Sequence, residues 1–466
     1  MYIEQLYTSC LSEAAYYIES EGEAAIIDPL RDTDRYVQMA KERNATIKYI
    51  FETHFHADFV SGHLDLANQT GAKIIYGPNA KTEFEKYTAK DNERFDLGKI
   101  SIVALHTPGH TLESTCYVLM DHINEPEAVF TGDTLFVGDV GRPDLFSGNL
   151  TKEELAGYLF ESLERLKQFP DDVLVYPAHG PGSSCGKNLG PNTFSTIGHE
   201  KETNYAMKPQ SKDEFIKAVT SGLNTPPAYF PINAKLNQQG YKSLHEIKIE
   251  GLKGIEIKEL KELLATDIIL LDTREATLFT EGFIPSSISI GLEGRFAEWA
   301  GALLPFHQKI VLVTEEGKEE ETLIRLTRVG FDQIIGYVKG GVEAWKNAGE
   351  QLDLIINVEA DEVKMDLNYD PKMIVLDVRK ELEFDNGHVK SATNLPLSEM
   401  IDVAKISDFE ETDNLYVHCA GGYRSVIASS ILKKHGIHNL RNVLGGYAAI
   451  KEIKGMPLVA AKEVLN

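Results

Sequence analysis

An internal repeat sets the strongest limit on how this 466-residue chain can fold. The segment IILLDTREATLFTEGFIPSSISI, from Ile268, matches MIVLDVRKELEFDNGHVKSATNL, from Met373. Asp272 and Asp377 lie 105 positions apart, and Gly340-Gly341 recurs at Gly445-Gly446 with the same offset. A repeat of this length implies two copies of one small domain. Each copy reads as an α/β unit: a strand ending in Asp-x-Arg, a second strand, then a helix entered from a loop. The copies divide as 251–355 and 356–466. A linker is expected near Glu250, after Pro-containing stretches at 208–212 and 224–237. That leaves 1–250 for a domain of another kind, three domains in all, as the length suggests.

The first 200 or so residues alternate apolar runs with turn signals. AAYYIES and EAAIIDP, separated by Glu21-Gly22, predict a hairpin. IKYIFET, ISIVALH, TCYVLM, AVFTGD and VLVYPAH predict further short strands. Thr151 to Gln168 is amphipathic, and Thr151 with Glu154 has capping-box spacing. The pattern predicts stacked sheets with helices outside.

Charge and cysteine usage narrow the function classes. Forty-seven Lys and Arg stand against 71 Asp and Glu, for a formal net charge of -24. That disfavours nucleic acid and anionic membrane surfaces, which need cationic neutralisation. No apolar stretch of about 18 residues is present, so no membrane span is expected. Cys10, Cys116, Cys185 and Cys419 are widely spaced. With no basic and apolar leader at the start, they predict reduced cysteines and a cytoplasmic location. Cys10 and Cys116 sit in apolar β-like runs and are expected as small core residues.

A series of His and Asp residues follows the predicted strands. THFHADFVSGH (53–63) brings His54, His56 and Asp58; TPGHT brings His110; FTGDT brings Asp133; YPAHG brings His179. Alternation in the first segment lets imidazoles and a carboxylate converge on one cavity. Four strand ends carrying His or Asp in tight turns suit a metal site at a sheet edge. In HGPGSSCGKNLG, Cys185 follows His179 by six positions. It is expected at the pocket mouth, either relaying sulfane sulfur with Lys187 as activating cation or standing as an inert loop cysteine.

LYVHCAGGYRS (415–425) carries a second chemistry. An apolar strand delivers Cys419 into a Gly-rich loop, Ala420-Gly421-Gly422-Tyr423, and Ser425 opens into a helix. Loop and helix N–H groups there favour a thiolate and equally hold a persulfide. Arg424 is expected to add a donor fork for a sulfur oxyanion. Tyrosine phosphatases place five residues between Cys and Arg; four stand here, a loop tighter than a phosphoryl group needs. In the first copy VTEEGKEEE occupies the loop position, and Glu315 is aligned with Cys419. That copy has no nucleophile and is expected to be inactive.

The His and Asp motifs resemble the metallo-β-lactamase superfamily, whose signature is His-x-His-x-Asp-His followed by further His, Asp and His. The resemblance implies an αββα sandwich. Phe59 stands where the dinuclear zinc hydrolases of the superfamily carry His. The segment looks most like the persulfide dioxygenase branch, which the GRPD turn (141–144) also matches, although spacing alone gives only a Pro turn. That likeness implies one Fe(II) on His56, His110 and Asp133, zinc being a possible substitute, with His54, Asp58 and His179 orienting ligands or bound water. The second repeat resembles a rhodanese domain through LDVR, GHVKSATNLP and GGY. The whole chain is therefore expected as α/β: a metallo-β-lactamase sandwich followed by two rhodanese-like domains, the first degenerate.

This combination is similar to persulfide dioxygenase–sulfurtransferase fusions of sulfide detoxification. It implies O2-dependent oxidation of a thiol persulfide to sulfite. Glutathione, coenzyme A and bacillithiol are the candidate carriers. Cys419 would form or use thiosulfate, in a direction the sequence leaves open, as it does homo-oligomer formation. Two rivals stand: a zinc thioesterase of the glyoxalase II type, and a non-catalytic sulfur carrier with a structural metal.

Overall fold

The computed structural model describes residues 1–145, 149–208 and 210–460. Pro209, in the 208–212 stretch, lies outside them. Two compact units result: Met1–Glu246 with Ile324–Asp332, and Ile247–Leu323 with the residues from Gln333 onward. The linker expected near Glu250 is the helix Leu244–Gly251. Among the described residues no helix is long and apolar enough to cross a membrane.

The first unit holds two six-stranded sheets. One runs Tyr2–Thr8, Glu13–Ser20, Glu23–Ile27, Thr46–Glu52, Lys73–Tyr76, Tyr87–Thr88. The other runs Ser195–Thr196, Leu174–Pro177, Pro126–Gly132, Thr115–Met120, Ile100–His106, Glu93–Leu97. The expected hairpin pairs Ser20 with Glu23 across the turn. Alternation along Glu13–Ser20 sends Ala14, Tyr16 and Ile18 between the sheets, against Phe51, Tyr117 and Phe130. Ala15 and Tyr17 point the other way, onto Tyr36 and Leu66 of helices Asp34–Glu42 and His63–Thr70. Strands buried on both faces lose polar alternation and read as continuous apolar runs. On the opposite outer face Leu159 and Leu163 cover Val118 and Val129. The αββα order of layers is thus the expected one. Cys116 joins this core, whereas Cys10, expected there too, is only half-buried.

Helix Lys152–Leu166 begins at the capping box, with Thr151 accepting from the Glu154 N–H and Glu154 reaching back. Thr151→Ala is expected to cost this helix about 1 kcal/mol. Faster amide exchange confined to its first turn would register the loss.

In the second unit the repeat is visible as topology. The first parallel sheet runs Gly254–Ile255, Ile334–Val338, Lys309–Val313, Ile268–Asp272, Ile288–Ser289. The second runs Ile356–Val358, Leu440–Val443, Asn414–His418, Met373–Asp377, Thr393–Asn394, the same order. The Asp-x-Arg motif is structural in both copies. Arg274 pairs with Asp272 at 2.6 Å and bonds the Gly282 carbonyl; Arg379 does the same with Asp377 and Gly387. Each ion pair clamps a strand end to the loop beyond it.

Strand register corrects one alignment. Asp272 pairs with Val313, and Asp377 with His418. Thr314, not Glu315, therefore occupies the place of Cys419, and Glu315 corresponds to Ala420. The first repeat still lacks a thiol there.

Candidate metal centre and nucleophile loop

Two close backbone approaches assemble the metal-ligating types. Gly132 adopts φ +51°, and a Cβ there would meet Thr53 at 2.6 Å. The strand carrying Asp133 can therefore press against the one carrying His54. Gly109 adopts φ +151°, where a Cβ would lie 2.4 Å from the Leu159 Cα. This seats the His110 turn directly on helix Lys152–Leu166. His54, His56, His110, Asp133 and His179 are all at most 2% exposed.

Each of three imidazoles is oriented through one nitrogen. Thr53 Oγ1 donates to Asp28 Oδ2 at 2.8 Å and so accepts from His54 Nδ1 at 2.9 Å. His110 Nδ1 donates to the Arg142 carbonyl at 2.8 Å, and His179 Nδ1 to the Ser12 carbonyl at 3.2 Å. In a neutral ring so held, the lone pair is on Nε2. All three Nε2 atoms face Asp133, at 3.8, 3.4 and 3.5 Å respectively. Burial, then the neighbouring histidines, holds the His54 pKa well below the ordinary imidazole range. Burial pulls His179 down too, but Asp58 and Asp133 outweigh it and hold it above that range.

The observed grouping differs from the expected ligand set at one position. His54, rather than His56, converges with His110 and Asp133, their ligand atoms lying within 4.8 Å of one another. His56 turns Nε2 to Asp28 Oδ1 at 3.1 Å and to Glu52 at 3.7 Å. A His56 nitrogen also lies within 4.8 Å of ligand atoms in Asp58 and His179. The Phe59 ring is fully buried and packs on the His56 ring, centroids 4.2 Å apart. It fills space that a second imidazole would need.

Both Asp133 oxygens, Asp58 Oδ1 and His179 Nε2 are buried without a hydrogen-bond partner. Buried polar atoms are normally satisfied, so convergent orphans of carboxylate and imidazole type fit a divalent cation.

Cys185 is not at a pocket mouth. It is 1% exposed, and its sulfur lies within 4.8 Å of ligand atoms in Asp133 and His179. Burial, then the Asp58 and Asp133 charges, pushes its thiol pKa well up. Lys187 does not activate it: that ammonium donates to the Ala218 carbonyl. Of the two readings for Cys185, the relay activated by Lys187 lacks its cation, and the buried thiol stands beside the His and Asp cluster instead.

Several supporting residues escaped sequence reading. Asn237 donates to the carbonyls of His56 and Phe59, both at 2.8 Å, and accepts from the Ser61 N–H. It holds the whole 56–61 loop from a helix far along the chain. Arg142 supplies the His110 acceptor and is itself fixed by a bidentate pair with Asp144 at 2.7 and 2.8 Å. The GRPD motif was its only signal.

A cavity of ≈ 580 Å³ opens beside His110. Phe55, Ala57 and Leu145 form apolar wall, with Lys81 and Lys235 among its polar lining.

In the second unit, strand Asn414–His418 delivers Cys419 into its loop as expected. The Gly422 N–H donates to Cys419 Sγ at 3.1 Å, and Ser425 Oγ lies 3.7 Å away. Ala420, Gly421 and Tyr423 complete the loop, and helix Tyr423–Lys434 follows. Arg424 differs from expectation. Its guanidinium makes a bidentate pair with Glu383, at 2.7 and 2.8 Å. A fork already paired with a carboxylate is largely neutralised.

Comparison with known proteins agrees with these units. A model described as the Metallo-beta-lactamase superfamily matches residues 9–179. A Rhodanese-like domain model matches 256–348 and 359–453. The Schizosaccharomyces pombe protein named Probable hydroxyacylglutathione hydrolase glo2 is 36% identical over 178 residues, 37% of this chain and 64% of its own. Glyoxylase B2 of Dictyostelium discoideum is 30% identical over 45% of this chain and 74% of its own. The crystal structure of a metallo-beta-lactamase from Staphylococcus aureus subsp. aureus COL is 33% identical, with a TM-score of 0.64. It covers 72% of this chain and 98% of that one.

Proposed function

The chain belongs to the metallo-beta-lactamase superfamily and carries two rhodanese-like domains, and from that premise we propose that it is an iron persulfide dioxygenase joined to a sulfurtransferase. One observation carries this reading: His54, His110 and Asp133 form a two-His-one-carboxylate group, while Phe59 fills the adjoining imidazole position. That donor set leaves open positions on Fe(II) and suits a mononuclear oxygenase site. Bound there, ferrous iron would supply reducing electrons for O2 and an electrophilic site for sulfur.

The protein's own groups do the rest. Thr53 and the Arg142 carbonyl hold the Nδ1 sides of His54 and His110, so that Nε2 of each is turned inward. Phe55, Ala57 and Leu145 shield the reacting sulfur from water. Lys81 and Lys235 attract a carrier thiol bearing carboxylate or phosphate, the class that includes glutathione, coenzyme A and bacillithiol. The stoichiometry closes: RSSH, O2 and H2O give RSH, sulfite and two protons, a four-electron oxidation of sulfane sulfur. Cys419 then exchanges sulfane sulfur with sulfite or thiosulfate.

Metal analysis together with O2 uptake on glutathione persulfide or coenzyme A persulfide tests the proposal. About one iron per chain with persulfide-dependent uptake supports it. A hydrolase is the second reading, favoured by the names of the relatives and by the Asp58, His179 and Cys185 donors beside Asp133. Two zinc ions per chain, with anaerobic hydrolysis of S-lactoylglutathione and no O2 uptake, would establish that instead. Within the dioxygenase reading, Lys81→Ala with Lys235→Ala is expected to raise KM for the anionic persulfide about tenfold, with kcat little changed. Steady-state O2 uptake measures it.

A further inference from the structure

The segment Ile324–Asp332 lies within the first repeat in sequence, yet its contacts place it in the first compact unit. We propose that this segment is a positioning element of the metal centre: a strut, lent by the degenerate repeat, that fixes the two stretches of chain holding Asp58 and orienting His54. The inference rests on the reading of the His and Asp cluster as a metal centre.

The local sequence gives the segment a free acceptor. Helix Glu319–Thr327 runs out into a left-handed Gly330, φ +88°. The Phe331 N–H bonds the Leu326 carbonyl at 3.2 Å, and the Gly330 N–H bonds the Thr327 carbonyl at 3.1 Å. This Schellman arrangement satisfies those two carbonyls and leaves that of Arg328 open. It accepts the Val60 N–H at 2.7 Å. Val60 is fully buried, where a backbone donor needs such an acceptor. Asn237 holds the same loop at His56, Phe59 and Ser61, and the strut adds the hold at Val60.

Two ion pairs keep the segment in register. Arg31 pairs with Asp332 at 2.6 Å, and Arg328 pairs bidentately with Asp32, both contacts at 2.9 Å. Neighbours of opposite sign thus meet two residues of opposite sign, an arrangement that a slipped segment could not satisfy. Arg31 is completely buried, donates to the Thr327 carbonyl at 3.3 Å and stacks on the Tyr241 ring at 4.5 Å. Arg31 and Asp32 continue the stretch that begins at Asp28. The Asp28 carboxylate accepts the Thr53 N–H at 2.7 Å and the Thr53 hydroxyl at 2.8 Å, and that hydroxyl orients His54. The strut therefore acts twice: through Val60 on the loop bearing Asp58, and through Arg31 and Asp32 on the stretch that sets His54. A repeat that has lost its nucleophile keeps a task in the first unit.

Arg328 and Asp32 are 13% and 21% exposed, so removing them strands no buried charge, as removing Asp332 would do to Arg31. The test uses the full chain, with Co(II) as probe metal and amide exchange as a second readout. Arg328→Ala is expected to speed exchange in residues 28–32 or 56–61 by about tenfold. It is also expected to weaken Co(II) binding by about tenfold, as loss of an outer orienting partner does, and to shift the visible Co(II) bands. Adding Asp32→Ala is expected to change the affinity by no more than about twofold further, because the two groups act as one pair. Arg328→Lys keeps a cation opposite Asp32; it is expected to show the same changes at about threefold and replaces the alanine variant if circular dichroism shows that one unfolded. A folded variant with wild-type Co(II) affinity and bands overturns the proposal, whatever its stability, since the segment would then only stabilise the fold. Weakened binding with unchanged exchange in both stretches overturns it as well. Failure of the wild-type chain to bind Co(II) would overturn the metal-centre reading instead, so the two failures are distinguishable.

Discussion

Replacing Cys419 with serine is expected to cut sulfur transfer from thiosulfate to cyanide by at least about a thousandfold, with persulfide-dependent O2 uptake unchanged. The substitution changes one atom. Cys419 is 1% exposed, and its Sγ accepts the Gly422 N–H at 3.1 Å, a contact that stabilises charge on sulfur. A serine hydroxyl fits the same space but stays protonated at neutral pH, and oxygen cannot carry sulfane sulfur as a persulfide does. Because the swap nearly conserves volume, the fold is expected to survive it, which circular dichroism and intact metal content would verify. Two assays on one preparation decide the point: thiocyanate formation and O2 consumption with supplied glutathione persulfide. If O2 uptake disappeared along with thiocyanate formation, the separation of the two chemistries would be wrong.

The sequence was most legible where chemistry follows directly on a strand. His54, His110, Asp133 and His179 each stand just past an apolar run, and those runs are strands in the structure. Duplication was legible too, because Asp-x-Arg and Gly-Gly recur at one offset, and the Asp-x-Arg ion pair performs the same structural task in both copies. What was missed depends on partners distant in sequence. Alternation places His54 and His56 on the same side, but only the folded position of Asp28 shows that His56 is drawn away from Asp133. Asn237 lies 181 positions from the His56 carbonyl that it holds, in a stretch that reads as a Pro/Asn loop and folds as helix Phe230–Gln239. Arg424 looked like an oxyanion donor until Glu383, 41 positions earlier, was found to occupy its fork. Cys185 looked exposed because its loop is rich in Gly and Ser, yet that loop packs its sulfur against Asp133 and His179. The strands Tyr2–Thr8, Lys73–Tyr76 and Glu93–Leu97 were not anticipated; two are short, and Tyr2–Thr8 carries polar residues within it.

Asp133→Ala is expected to remove the metal and, with it, all persulfide-dependent O2 uptake, while Cys419-dependent transfer to cyanide stays within about twofold of wild type. Asp133 is the group on which three imidazoles converge, His54 and His110 through one oxygen and His179 through the other. Without the carboxylate, three imidazole Nε2 atoms face one another with no anionic oxygen between them to neutralise a dication. Losing a direct ligand should lower affinity beyond the roughly 10–100-fold typical of outer hydrogen-bonding partners, so metal content should fall from about one per chain to near zero. The contrasting variant is Asn237→Ala, which strips two backbone carbonyls of their donor without touching any ligand atom. It should lower stability by about 1–3 kcal/mol and weaken metal binding only in part, so that added Fe(II) restores O2 uptake. Added Fe(II) should not restore Asp133→Ala. Elemental analysis before and after iron loading, paired with the O2 assay, therefore separates a residue that holds the ion from one that holds the loop. If Asp133→Ala retained both its metal and its O2 uptake, the convergence of imidazoles on this carboxylate would have no bearing on the chemistry.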